Sequence, residues 1–212
     1  DPIVGREATD FLASVPEPSR EPLRESALSI LGKGVAPTGN ANTDTGLVVG
    51  YVQSGKTMSF EMVVALARDN GFPIVIVVAG IANPLLDQST GRLRRDLQLD
   101  QPGRARRWMQ LENPTDDDAT AQAIRDVLDD WRDTSTPDGF RRTILITVLK
   151  HHKRLENMAA LFAGIALDDI PVLIIDDEAD QASLNNETSQ GTESTTYQRL
   201  LALRQTMPHH TY

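Results

Sequence analysis

Three stretches of this chain are apolar with almost no interruption: residues 73–79 (PIVIVVA), 143–149 (TILITVL) and 171–175 (PVLII). A strand with one wet face alternates apolar and polar residues. A run without that alternation must be covered on both sides, which is the situation of parallel strands packed between helices. The segments between the runs carry helical periodicity instead. Met58, Met62, Val63, Leu66 and Ala67 share one face of a predicted helix over 56–69. Ala121, Ile124, Leu128 and Trp131 do so over 118–131, and Leu155, Met158, Ala159 and Phe162 over 155–166. Strand and helix alternating at roughly 30 residues per unit, joined by right-handed crossovers, predict an α/β fold with a mostly parallel central sheet and helices on both faces.

Weaker patterns complete the expectation. Residues 46–51 (GLVVGY) read as a further buried strand, 107–111 as an edge-like strand, 85–99 as a helix and 195–204 as a closing helix. The first 45 residues are rich in proline and turn formers, with one helix expected over 21–31. They read as a helical and loop lead-in, followed by one lobe over 46–212. The polar stretch 185–196 (NNETSQGTESTT) reads as a loop.

A chain of 212 residues can bury a full core without staples, and it contains no cysteine, which excludes disulfides and thiolate metal sites. Its apolar runs are too short to span a bilayer, and no signal peptide is visible, so a cytoplasmic protein with no membrane partner is expected. The chain starts at Asp1 and reads as a trimmed piece of a longer protein. The net charge of −9 disfavours attraction of nucleic acid to the whole surface. Two local basic clusters stand against it: Arg92, Arg94, Arg95, Arg104, Arg106 and Arg107 in one stretch, and 151–154 (HHKR) in another. Either is a solvated, salt-bridged surface or a groove for nucleic-acid backbone.

Two motifs carry chemistry. Gly50-Tyr51-Val52-Gln53-Ser54-Gly55-Lys56-Thr57 fits G-x-x-x-x-G-K-[ST], between an expected strand and an expected helix. Gly50 and Gly55 let the backbone curl so that N–H groups, including that of Ser54, point at anionic oxygens. Lys56 brings a full charge to the terminal phosphates, and the Thr57 hydroxyl suits Mg²⁺. Gln53 either touches nucleotide or nucleic acid or simply faces solvent. The second motif is the strand 172–175 running into Asp176-Asp177-Glu178-Ala179-Asp180. Carboxylates at the C-terminal end of a strand lie where α/β proteins bind ligands. Asp177 is the candidate to hold Mg²⁺ through water, and Glu178 the candidate to orient or deprotonate an attacking water. Together the motifs predict a P-loop, RecA-like three-layer sandwich that binds ATP and Mg²⁺.

Residues 177–180 spell D-E-A-D, which resembles the D-E-x-D box of superfamily-two helicases and translocases. With 46–57 (GLVVGYVQSGKT), 77–88 (VVAGIANPLLDQ), 173–185 (LIIDDEADQASLN) and 203–212 (LRQTMPHHTY), the chain resembles the Z-one domain family from about residue 30 onward. That resemblance implies a helicase-like ATPase core in proteins described as endonucleases, often encoded beside restriction or phage-defence genes. It implies an ATP hydrolase acting on nucleic acid, with DNA the expected partner. It gives Asp180 a role in linking nucleotide state to neighbouring segments. It further implies that HHTY leads into a T-A-T-P segment and that a second RecA-like lobe of the same parent chain supplies an arginine finger. On that reading, the lobe alone hydrolyses ATP slowly or not at all. No nuclease pattern is visible in the residues themselves. The adjacent His pairs 151–152 and 209–210 point apart and suit metal chelation poorly, and Trp108 and Trp131 read as packing residues. Two other readings stay open: a P-loop NTPase of kinase-like or signalling type, and a binding module whose interaction surface nucleotide merely orders.

Overall fold

The computed structural model describes residues 1–49, 56–105, 107–179 and 194–212. Six strands form one sheet in which every pairing is parallel. They are β1 (Thr43–Asp44), β2 (Ile74–Ala79), β3 (Trp108–Glu112), β4 (Thr143–Leu149), β5 (Val172–Asp176) and β6 (His210–Thr211), in the order β1-β6-β5-β2-β4-β3. The helices are α1 (Arg6–Ser14), α2 (Glu17–Lys33), α3 (Lys56–Asp69), α4 (Asn83–Asp96), α5 (Pro102–Ala105), α6 (Asp118–Arg132), α7 (His152–Ala163) and α8 (Thr195–Gln205). The whole is a RecA-like three-layer α/β sandwich.

The two-faced burial expected of the apolar runs is visible in the alternation of side chains. Ile74, Ile76, Val78, Ile144, Ile146, Val148, Val172 and Ile174 pack with α6, α7 and α8. The intervening Val75, Val77, Leu145 and Leu173 pack with α1, α2, α3 and α4. Every residue of β2 and β4 is buried, and each such aliphatic side chain contributes about 1.5–3 kcal/mol relative to exposure. β3 lies at one edge of the sheet, as its mixed pattern predicted.

Two expectations need correction. Of the apolar run at 46–51, the described residues 46–49 do not form the buried strand that its composition suggests. The edge strand is β1, three residues earlier, and Leu47, Val48 and Val49 are exposed. The physical reason is a missing neighbour. The last rung of the β1–β6 ladder is Gly46 N–H donating to Tyr212 O at 2.8 Å, and among the described residues nothing beyond it offers a backbone partner. The proline-rich lead-in is also more ordered than expected. It forms two helices, and α2 starts at Glu17, with Pro18 in the first turn where a missing N–H costs nothing. Both helices contribute to the core beneath α3 through Ala8, Phe11, Leu23, Ala27 and Leu31.

One connection positions the site. Helix α3 ends in a turn at Gly71, with φ at +86° and Phe72 N–H donating to Ala67 O, and the chain enters β2 at once. The helix therefore runs back against the strand. Its 14 residues span about 21 Å at ~1.5 Å each, and the six residues of β2 about 20 Å. Lys56, the first residue of α3, thus comes level with the C-terminal ends of the strands.

Candidate functional site

The C-terminal edge of the sheet is where the acidic motif falls. Val78 is in register with both Val148 and Asp176, so Gly80, Lys150, Asp177 and Glu178 follow the ends of three neighbouring strands. Asp177 N–H donates to Val78 O at 2.9 Å, which carries the β2–β5 pairing one residue further before the chain turns. Glu178 sits in that turn with φ at +59°, a left-handed conformation that costs a non-glycine residue about 1 kcal/mol or more.

A buried cation holds the turn. The side chain of Lys150 is 0 % exposed, and its ammonium has three partners. It pairs with Asp176 Oδ1 at 2.6 Å and donates to the carbonyl oxygens of Asp177 at 2.9 Å and Glu178 at 2.7 Å. The carboxylate balances the charge, and the two carbonyls accept two of the ammonium's three donors. The other oxygen of Asp176 accepts from the Tyr212 hydroxyl at 2.6 Å. Tyr212 in turn lies under the Arg204 guanidinium, 4.3 Å from its ring centre, and Arg204 donates to Thr45 Oγ1 at 2.6 Å. The polar path thus runs from β4 to the segment that leads into residue 50. Lys150 and Tyr212 were not singled out from the sequence. Lys150 falls there just before the basic 151–154 segment and carries no role, and Asp176 is one acid among several.

Asp177 and Glu178 are left with different surroundings. Strand alternation puts Asp177 on the face opposite Asp176, toward α3 and α4. Burial pushes its carboxyl above the ordinary range, against the opposing pull of Lys150 and Arg92. Glu178 Oε2 is buried and accepts no hydrogen bond. It rests over Gly80, where an added Cβ would come within 3.0 Å of it. A half-buried carboxyl and a carboxylate oxygen without a donor form an electron-rich pair that suits a hard cation such as Mg²⁺, which typically takes one or two protein carboxylates and draws its remaining ligands from water and phosphate. Among the described residues no cluster of three or more His, Asp or Glu side chains could hold a metal by itself.

The other predicted site residues divide between the described and undescribed parts of the chain. Gly50, Gln53, Ser54, Gly55 and Asp180 lie outside the described residues, as does most of the 185–196 loop. Lys56 and Thr57 open α3, but their side chains are not among those described. The HHKR segment is exposed at the start of α7, on the same edge as the acids. His209 and His210 are buried and structural: His209 Nε2 lies 2.8 Å from Ala36 O, and His210 Nδ1 lies 2.7 Å from Met207 O. Trp108 is buried with its indole N–H on Glu7, and Trp131 donates to Arg142 O at 2.5 Å. No helix among the described residues is long and apolar enough to cross a membrane.

No family model matches the chain, and neither a curated protein nor a solved structure matches it at a significant level.

Proposed function

We propose that this chain is the ATP-binding first lobe of a helicase- or translocase-like motor. The observation that carries the reading is the acid turn Asp177–Glu178, poised at the C-terminal edge of a parallel sheet toward which the N-terminus of α3, and with it Lys56, is directed. The G-x-x-x-x-G-K-T motif leads directly into that helix end. A helix N-terminus with its free N–H groups favours phosphate, and the adjacent carboxylates suit the magnesium that accompanies it. In this reading Gly50, Gln53, Ser54, Gly55, Lys56 and Thr57 hold the phosphates, with Thr57 and Asp177 on the metal. Glu178 receives or orients the proton of an attacking water. Mg²⁺, when bound, would neutralise charge on the β- and γ-phosphates.

The resemblance to the Z-one domain family supports the choice of a motor over other P-loop proteins. It suggests DNA as the partner, a second RecA-like lobe, and a restriction or phage-defence setting. Calorimetric titration with ATP and Mg²⁺ tests the nucleotide site. Binding is expected for the wild type and a loss of at least tenfold for Lys56→Ala, about 1.4 kcal/mol or more. Equal affinity in the two would sink the assignment. In a protein carrying both lobes, DNA should stimulate ATP hydrolysis, and Glu178→Gln should abolish turnover while preserving binding.

A further inference from the structure

We infer that Lys150 is a positioning residue: its buried ammonium fixes the turn in which Asp177 presents its carboxylate to a nucleotide-bound cation and Glu178 is aimed at the attacking water. The inference rests on the ATP–Mg²⁺ reading of the same edge and assigns a role to a residue outside both motifs.

The argument starts from strand order. Lys150 follows β4, and β2 lies between β4 and β5. To reach Asp176 the side chain must cross the end of β2, where Lys150 N–H also donates to Gly80 O at 3.2 Å. A lysine is almost never buried unless its charge is paired and its donors are satisfied. Here one short stretch of chain pairs the charge and accepts two of the donors. The ammonium takes the Asp176 carboxylate and the next two backbone carbonyls. Holding those two carbonyls orients the peptide planes on either side of Glu178, the residue with φ at +59°. Without that tether the left-handed turn has less to offset its cost, and Glu178 would relax away from Gly80. The pairing also separates charges by role. Asp176 is neutralised by Lys150 on the α6–α8 face, whereas among the described residues Asp177 and Glu178 have no such partner at hydrogen-bond distance.

The test compares ATP affinity with Mg²⁺ and with EDTA, measured by calorimetry on the wild type, Lys150→Met and the double variant Lys150→Met/Asp176→Asn. The double variant removes both charges of the Lys150–Asp176 pair and keeps an acceptor for Tyr212, which avoids leaving one member of that pair buried alone. Both variants should bind ATP in EDTA as the wild type does, because the phosphate loop is untouched. Both should lose most of the Mg²⁺-dependent gain, falling from about tenfold or more to less than about twofold. A merely structural role would leave that gain intact in any variant that folds. A folded variant with the wild-type Mg²⁺ gain therefore overturns the inference, as does failure of both variants to fold. Absence of ATP binding in the wild type, or equal binding by Lys56→Ala, would instead remove the nucleotide reading and the inference with it.

Discussion

Glu61 lies on α3 with 1 % of its surface exposed, and neither of its oxygens accepts a hydrogen bond. Its carboxyl is pushed up to about 8, first by burial and then by the Asp96 carboxyl, with Arg92 and Arg95 pulling weakly the other way. Held neutral in this way, Glu61 places no unpaired charge in the core. The consequence for stability has a definite sign. The unfolded chain releases this proton near pH 4.5, whereas the folded chain keeps it to about 8. Between those values the folded state holds the extra proton, so stability falls as pH rises, by at most about 1.4 kcal/mol per pH unit from this group. Urea unfolding at pH 5.5 and 8 should show the wild type losing on the order of 2–3 kcal/mol more than Glu61→Gln, which has the same shape and no proton to release. Parallel losses in the two proteins would refute the assignment. Asp69 and Asp177 are also pushed up by burial and act with the same sign, but they are common to both proteins. At this scale the sequence is readable where chemistry fixes the spacing, as it does for Asp177 and Glu178 at the end of an apolar strand. It is unreadable for Lys150, Asp176 and Glu61. Their roles depend on which strand or helix lies beside them, and a charged residue within a helical pattern looks solvated until its neighbour is known.

Helix α1 shows how one element is fastened to another. Its N-cap is Gly5, which offers no side chain to the free N–H groups of the first turn. Asp69, the last residue of α3, supplies the cap from outside: Oδ1 accepts from Glu7 N–H at 3.0 Å and Oδ2 from Ala8 N–H at 2.8 Å. The approach is so close that a Cβ on Gly5 would lie 2.6 Å from Asp69 Cγ. Asn70 adds a reciprocal pair with the backbone of Ile3, and a buried ion pair joins Glu7 to Arg107 beside β3. Asp69→Ala should cost about 1–2 kcal/mol, the usual price of a lost cap. Gly5→Ala should be comparably harmful. Hydrogen exchange should show the amides of Glu7 and Ala8 losing protection ahead of β2 and β4. Unchanged protection in Asp69→Ala would show that packing alone holds α1. This helix was not foreseen, because its apolar residues, Ala8, Phe11, Leu12 and Ala13, fall within only nine residues, too short a stretch to establish a period. The run at 46–49 misled in the opposite way. Its composition suits a buried strand, but a strand needs a hydrogen-bonding neighbour, and the described ladder ends at Gly46.

At the scale of the whole molecule, the parallel sheet was legible from its uninterrupted apolar strands, whereas the strand order was not. The order is what gathers residues 80, 150, 177 and 178 at one edge and sends the Lys56 end of α3 toward it. A ligand bound there would engage the N-terminus of α3 and the ends of β2, β4 and β5, which all belong to the same packed unit. Its binding energy should therefore appear as stability of the entire fold, since the unfolded chain has no site. At a nucleotide concentration of about 100 times Kd the gain is about 2.7 kcal/mol. For a protein of this size each kcal/mol raises Tm by about 2–4 °C, so ATP with Mg²⁺ should raise Tm by roughly 5–10 °C. Lys56→Ala, binding at least tenfold more weakly, should cut the shift to about half or less at the same concentrations. Glu178→Gln should keep it, because an amide at 178 leaves Lys56 and Asp177 in place for the phosphates and the metal. A shift of equal size in Lys56→Ala would locate the bound nucleotide somewhere other than the edge where the acid turn and the start of α3 converge.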